Sequence, residues 1–247
     1  MTERSPHKQP GREAGLLVVV AVPAEADAVL RGLPAGAPAE PLPGGLLHRA
    51  VAADGTAVDV LAGGVGPAAA AAATATALAG GRYALVLSAG IAGGFAPRAP
   101  IGSLVVADAI VVADLGAETP EGFADVTELG FGTVRHVPPP GLVAAAAGAL
   151  GAAAGPVLTV STVTGSAERA AALADRHPGV LAEAMEGFGV AEAAARFGVP
   201  AGELRAVSNP VGPRDRAAWR IGEALGALER AFAALPYQRL LKEVTHG

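Results

Sequence analysis

Three places in the 247-residue chain put side chains capable of chemistry where a regular element begins or ends. The stretch Glu183-Ala-Met-Glu186-Gly-Phe-Gly closes an apolar run and opens an Ala-rich pattern in which Val190, Ala194 and Phe197 fall at helical spacing. A carboxylate at that point either complements the positive end of a helix dipole or accepts from the hydroxyls of a ligand. Glu25 stands in the same relation to the first apolar run. It is either a first-turn helix carboxylate or a group at the carboxyl ends of the strands, where open α/β sheets receive ligands. In Arg205-Ala-Val-Ser-Asn209 the arginine and the asparagine are four apart on a strand pattern, so they face the same side. The arginine then orients Asn209 or Glu186, or forms a salt bridge elsewhere.

The elements that must position these groups alternate between strand and helix. Leu16 to Val22 reads as a strand buried on both faces, followed by a helix from Ala24 to Arg31. A Pro/Gly-rich connection, Pro34 to Gly45, leads to strand-like stretches at Leu46 to Ala53 and Ala57 to Ala62, with Asp54-Gly55 as a hairpin signal. Gly63-Gly-Val-Gly-Pro67 turns sharply into an Ala-rich run ending at Leu78. It matches neither a P-loop nor the dinucleotide fingerprint and reads as structural. Tyr83 to Ser88 is a buried strand that enters a glycine loop, Ala89 to Gly94, where a ligand or another segment comes close to the backbone. Ile101 to Val112 reads as a long strand, and the acidic segment Asp114 to Gly132 as a solvated loop, with a lid or subunit contact as alternatives.

Further on come a helix from Leu142 to Leu150, a strand from Val157 to Ser161, and a helix capped by Ser166 that runs through Asp175. Leu204 to Ser208 is the last buried strand, and Asp215 or a neighbour caps a long final helix to Leu235. The alternation predicts a single α/β domain over residues 15–236, with a central twisted, mostly parallel (mixed) sheet flanked by helices. Residues 1–14 read as a disordered tail and 237–247 as a C-terminal tail.

Composition narrows the ligand class. Apolar residues make up 51% and aromatics 4%, so the core must be built from Ala, Val and Leu. A net charge of -5 without a Lys/Arg run argues against nucleic acid and favours a small, uncharged or weakly anionic ligand. The absence of cysteine excludes disulfides and thiolate catalysis and agrees with a cytoplasmic location. Five scattered histidines give no metal-ligand spacing, and no metal is expected. The charge-free stretch from Gly141 to Val160 is Ala/Gly-dominated and broken by Gly155-Pro156, so it reads as a helix and a strand rather than a membrane span.

Glu25 after the first strand, Ala-Met-Glu-Gly at 184–187 and Arg205-Ala-Val-Ser-Asn209 occur in one order with Gly90-Ile-Ala-Gly-Gly94 and Ile101-Gly-Ser-Leu-Val-Val-Ala-Asp108. Taken together, from Leu16 to Leu235, they resemble the nucleoside phosphorylase/nucleosidase family that includes 5'-methylthioadenosine/S-adenosylhomocysteine nucleosidase. The resemblance implies a nucleoside phosphorylase-like fold and a cofactor-free enzyme, commonly homo-oligomeric, acting on a small-molecule nucleoside. Breaking an N-glycosidic bond develops positive charge on the ribose and negative charge on the purine, so a protein must hold the sugar, supply water and stabilise the base. By resemblance, Glu186 takes the ribose hydroxyls, Met185 packs beneath the sugar, Glu25 is the general base and Asn209 meets the base. Ile91, Ala92, Gly93, Thr164, Gly165, Arg205, Ser208 and Arg214 complete the implied substrate site.

Departures from the family pattern refine this reading. Asn209 stands where the methylthioadenosine enzymes carry an aspartate, and an amide donates to N7 or to a 6-oxo group without being a Brønsted acid. A 6-oxopurine is therefore implied. Ser88 stands where phosphorylases hold phosphate with an arginine, and Ile91 where a serine is frequent, so hydrolysis is implied over phosphorolysis. Ala184, where nucleosidases often carry another glutamate, weakens a thioadenosine-type site. With the tail Asn209 to Trp219, these features make the chain most similar to the futalosine-hydrolysing branch of the family, which serves an alternative menaquinone route. Arg214 and Arg216 would then meet the carboxylate of the substrate's carboxyphenyl group. The rival readings are a methylthioadenosine/S-adenosylhomocysteine nucleosidase, a purine nucleoside phosphorylase and, from another class, a non-catalytic nucleoside-binding module.

Overall fold

The computed structural model describes residues 15–36 and 38–245, so the expected N-terminal tail lies outside the described residues. The first half contains β1 (Gly15–Val20), α1 (Pro23–Arg31), β2 (Ala35–Gly36), β3 (Glu40–Leu42), β4 (Gly45–Val51), β5 (Ala57–Ala62), α2 (Pro67–Gly80) and β6 (Tyr83–Gly94). The second half adds β7 (Leu104–Val112), β8 (Gly116–Thr119), β9 (Gly122–Asp125), β10 (Arg135–His136), α3 (Pro140–Leu150), β11 (Ala153–Thr159) and α4 (Ala167–Arg176). It ends with β12 (Ala182–Ala184), α5 (Gly187–Arg196), β13 (Ala201–Pro210), α6 (Ile221–Ala234) and α7 (Tyr237–Thr245).

The main sheet is mixed. β1 lies between β5 and β6, parallel to both, and β4 returns antiparallel to β5 across the Asp54-Gly55 turn. On the other side the pairings close on themselves: β6 pairs with β13 and β12, β13 and β11 each pair with β7, and β11 pairs with β12. β6 is thus the seam between an open sheet and a small closed one. The ligand end of such a sheet lies where strand order switches.

Alternation along β1 explains why helices cover both faces. Leu16, Val18 and Val20 pack with residues of α1, α3, α6 and α7, whereas Leu17 and Val19 pack with those of α2 and α5. Alanines carry much of both layers, and small side chains let the helices lie close. Gly189 of α5 would place a Cβ 2.1 Å from the Pro67 carbonyl oxygen, so α5 and α2 touch backbone to backbone.

Several elements differ from the expectation. The supposed glycine loop from Ala89 to Gly94 is the second half of β6, kept extended by pairing with β13. β7 begins at Leu104 rather than Ile101, and β11 at Ala153. The acidic segment holds a hairpin, β8 with β9, and Arg176 of α4 lies over the Phe123 ring. Asp215 caps a short 3-10 turn, Arg216–Ala218, and α6 starts later with Arg220 at its N-cap.

The stretch from Tyr237, expected as a C-terminal tail, is helix α7. Tyr237 and Leu240 fall at helical spacing and are buried in the main core, with Leu241 and Val244 packed against it. Leu240→Ala should therefore cost about 2–5 kcal/mol of unfolding free energy by denaturant titration; an unchanged midpoint would mean that α7 is dispensable to the fold.

Candidate active site

Glu25 is the third residue of α1, and its side chain folds back over the helix start. Oε2 accepts from the Ala21 N–H at 2.9 Å and the Val22 N–H at 3.3 Å, while Oε1 accepts from the Ile91 N–H of β6 at 2.9 Å. The carboxylate thereby bridges the end of β1 and the middle of β6. A Cβ on Gly90 would lie 2.5 Å from Glu25 Oε1 and 2.9 Å from Arg205 Nη1, so glycine is required for the two groups to approach there. The φ of 150° at Gly90 adds a second requirement. Burial pushes the Glu25 carboxyl above its ordinary value, and the Glu186 charge adds to that; the Ile91 N–H and the Arg205 charge pull the other way.

Arg205 is wholly buried on β13, where it pairs opposite Gly90. Its Nε donates to Glu203 Oε1 at 2.8 Å and its Nη2 to Ser88 Oγ at 2.9 Å. Its Nη1 stands 3.5 Å from Glu186 Oε2 and makes no hydrogen bond. Burial alone would lower the arginine's pKa, but the charges of Glu203, Glu186 and Glu25 outweigh it and hold the guanidinium firmly cationic. Glu186 is the N-cap residue of α5, yet its side chain makes no cap bond to its own helix. It turns inward, and Oε1 accepts from the Gly66 N–H at 3.2 Å. The dipole reading therefore does not account for its orientation, and the turn at Gly63 to Pro67, expected to be purely structural, supplies one of its donors.

A second cluster forms around Gly93. β13 shifts register between Val207 and Asn209, so Asn209 rather than Ser208 pairs with Gly93. This breaks the simple alternation and corrects the expectation that Arg205 and Asn209 share a face: the polar contacts of Arg205 are with Glu203, Ser88 and Glu186. Ser208 Oγ lies 2.8 Å from Asn209 Oδ1 and 3.3 Å from the Ala92 carbonyl oxygen. On the other side of Gly93, Glu183 of β12 pairs with it. The buried Glu183 carboxylate receives both the N–H and the hydroxyl of Thr164, which ties the turn carrying Thr164 and Gly165 to this point. The same turn is held at its start by the Ser161 N–H donating to Asp114. Met185 is half-buried between the two clusters in sequence. Arg214 is exposed, with its guanidinium over the Trp219 ring at 5.4 Å, and Arg216 approaches the same ring at 5.7 Å.

The structure thus brings Glu25, Glu186, Arg205 and Ile91 together, sets Asn209, Ser208, Gly93 and Thr164 around a second point on β6, and leaves Arg214 on the surface loop that follows. Sequence reasoning missed Glu203, Glu183 and the Gly66 amide. Glu203 did leave a signal: a charged pair at i and i+2 in an otherwise apolar strand.

A sequence model described as the phosphorylase superfamily matches residues 16–241. The chain belongs to the phosphorylase superfamily. This superfamily member is 66% identical over 225 residues to a futalosine hydrolase of Streptomyces coelicolor, covering 89% of this chain and 94% of that protein. It is 51% identical over 224 residues to a futalosine hydrolase of Acidothermus cellulolyticus, covering 89% of each. Among solved structures, the methylthioadenosine/S-adenosylhomocysteine nucleosidase of Colwellia psychrerythraea in complex with adenine superposes with a TM-score of 0.77 at 22% identity, covering 95% of this chain and 97% of that one. The futalosine hydrolase of Helicobacter pylori gives 0.75 at 21% identity, covering 94% and 97%. These two likenesses show the fold.

Two outcomes follow for the first cluster. Gly90→Ala should abolish most activity in a folded protein, because the new methyl group displaces Glu25 or Arg205; a variant with wild-type kcat would show that their approach is not needed. Because the Glu25 pKa is raised in the folded state, the stability tied to it is fully present below the unfolded pKa and lost as pH rises through the folded one. Glu25→Gln removes that titration, so its melting temperature relative to the unsubstituted protein should rise from about pH 4 to pH 7. A pH-independent difference in calorimetry would contradict the raised pKa.

Proposed function

We propose that this protein hydrolyses the N-glycosidic bond of futalosine, releasing hypoxanthine and dehypoxanthine futalosine on the futalosine route to menaquinone. The observation that carries the reading is the approach of Glu25 and Arg205 at Gly90, with Glu186 3.5 Å from the same arginine, in a chain 66% identical to a futalosine hydrolase. Each part of the reaction has a group suited to it.

A water placed over Gly90 would meet Glu25 Oε1 as acceptor and the unpartnered Arg205 Nη1 as donor. Glu25 takes a proton from this water as its oxygen bonds to C1' and the C1'–N9 bond breaks. Glu186 accepts from the ribose 2' and 3' hydroxyls and stabilises the positive charge that develops on the sugar, with Met185 beneath the ring. The purine leaves toward Gly93. The Asn209 amide is set at both ends, Oδ1 accepting from the Ser208 hydroxyl and the NH2 donating to the Pro210 carbonyl oxygen at 3.1 Å, which leaves one N–H to donate to N7 or the 6-oxo group of a hypoxanthine-type base. Ile91, Ala92, Thr164 and Gly165 line the base, with the turn at Thr164 anchored by Glu183. The purine departs as an anion steadied by the Asn209 N–H and takes a proton from solvent, and Glu25 gives the proton it took from water back to solvent, so that one water is consumed for each neutral hypoxanthine released.

Water is favoured over phosphate as nucleophile. A phosphate needs a cation with charge to spare, and Arg205 already faces Glu203 and Glu186. Arg214 would pair with the substrate's carboxylate from the loop after Asn209. We further propose a homo-oligomer in the cytoplasm. Among the described residues, no helix is long and apolar enough to cross a membrane.

The fold likeness at 22% identity keeps one competing reading in view, a methylthioadenosine/S-adenosylhomocysteine nucleosidase. The base released separates the two. Futalosine should yield hypoxanthine at a rate independent of phosphate, and methylthioadenosine little adenine; release of adenine without hypoxanthine would overturn the assignment. Arg214→Ala should raise the KM for futalosine about ten-fold or more, the loss of one charge-assisted pair. Unchanged affinity would remove that role.

A further inference from the structure

Glu203 has no part in the chemistry above, yet it is the sort of residue a strand core excludes. Its side chain is fully buried on β13, where a carboxylate costs several kcal/mol unless it is paired. The carboxylate lies flat against α5: a Cβ on Gly187 would stand 2.3 Å from its Oε2 and 2.4 Å from its Oε1. Oε1 accepts from Arg205 Nε at 2.8 Å, and Oε2 has no hydrogen-bond partner. Glu203 and Arg205 are two apart on one strand and so share a face, and Ser88 sits opposite Glu203 in the parallel pairing of β13 with β6.

The guanidinium is therefore held at two of its three nitrogens. Glu203 occupies Nε and Ser88 occupies Nη2, which leaves Nη1 as the corner directed to Glu186 and to the space over Gly90 beside Glu25. An arginine between two functional carboxylates, without a third to hold it, would turn a two-nitrogen edge onto Glu25 or Glu186, because bidentate pairing is its strongest mode. That turn would fill the place of the water and occupy the oxygens meant for the ribose. We propose that Glu203 is a positioning residue for the hydrolytic step, fixing Arg205 so that only Nη1 reaches the water it shares with Glu25. This rests on the hydrolytic reading given above. Gly187 belongs to the same device, since it leaves room for the carboxylate to lie over its Cα.

The test uses Glu203→Leu, which removes the acceptor, Glu203→Gln, which keeps an oxygen for the Nε–H, and Gly187→Ala, which displaces the carboxylate without changing its chemistry. Each full-length variant is checked for folding by thermal melting, then assayed for kcat and KM on futalosine and on methylthioadenosine. In E203L and G187A, kcat should fall about 100-fold with KM within about three-fold, while E203Q recovers to within about ten-fold of the parent. A purely structural Glu203 would lower melting temperatures and leave kcat per folded molecule unchanged, which overturns the proposal. So would E203Q as slow as E203L, or a rise in KM matching the fall in kcat. If E203L does not fold, G187A against E203Q decides by the same criteria. Because the device acts at the water and is indifferent to the base, variant-to-parent ratios are read on whichever nucleoside the parent cleaves. Failure of the futalosine assignment thus appears in the parent alone, separately from failure of the role of Glu203.

Discussion

The site depends on one buried cation surrounded by more anions than it can neutralise. Arg205 lies among Glu203, Glu186 and Glu25, all of them buried, and the low dielectric there strengthens both the attractions and the repulsions. The surplus of carboxylate is what makes the arrangement chemically useful. Glu25 is driven toward its protonated form by burial and by Glu186, and is held back from it by Arg205 and the Ile91 amide. A carboxyl poised in this way takes up and gives back a proton more readily near neutral pH than an ordinary glutamate does. Burial raises Glu203 as well, against the pull of Arg205, so the pair shares the strain of excess charge rather than relieving it.

Such a cluster can only be assembled where backbones come close, and this accounts for the small residues around it. Gly90 admits Glu25 and Arg205, Gly187 admits Glu203, and Gly66 turns its amide to Glu186. The elements carrying these groups, β1 with α1, β6, α5 and β13, are far apart in sequence. β6 joins them because its first half pairs with β1 and its second half with β13 and β12. The two clusters then fall on one short stretch of a single strand, Gly90 to Gly93, and in the proposed reading these are its sugar and base ends.

Much of this was legible beforehand in the chain itself. The apolar run before Pro23 placed β1 and with it Glu25, Ser166 marked the start of α4, and Asp54-Gly55 marked the β4–β5 hairpin, because each is a local signal with a local cause. Readings that needed tertiary information went astray. Ala89 to Gly94 looked like a loop because glycine disfavours strands; the close approach expected there is present at Gly90, while pairing with β13 keeps the segment extended. The i, i+4 relation of Arg205 and Asn209 failed at a register shift that no side-chain pattern announces. Glu203 was passed over because a charged pair at i and i+2 in a strand belongs to no motif; its meaning comes from Gly187, sixteen positions earlier in the chain.

The central claim, that these charges act on a substrate rather than merely bind one, is tested most directly by turnover of Glu25→Gln. At saturating futalosine, hypoxanthine release should fall by about 100-fold or more with a much smaller change in KM, since the amide keeps the shape of the carboxyl but cannot take the proton from water. Turnover equal to that of the unsubstituted protein would contradict the account, and so would the absence of turnover in both proteins with unaltered nucleoside binding, which is the behaviour of a binding module.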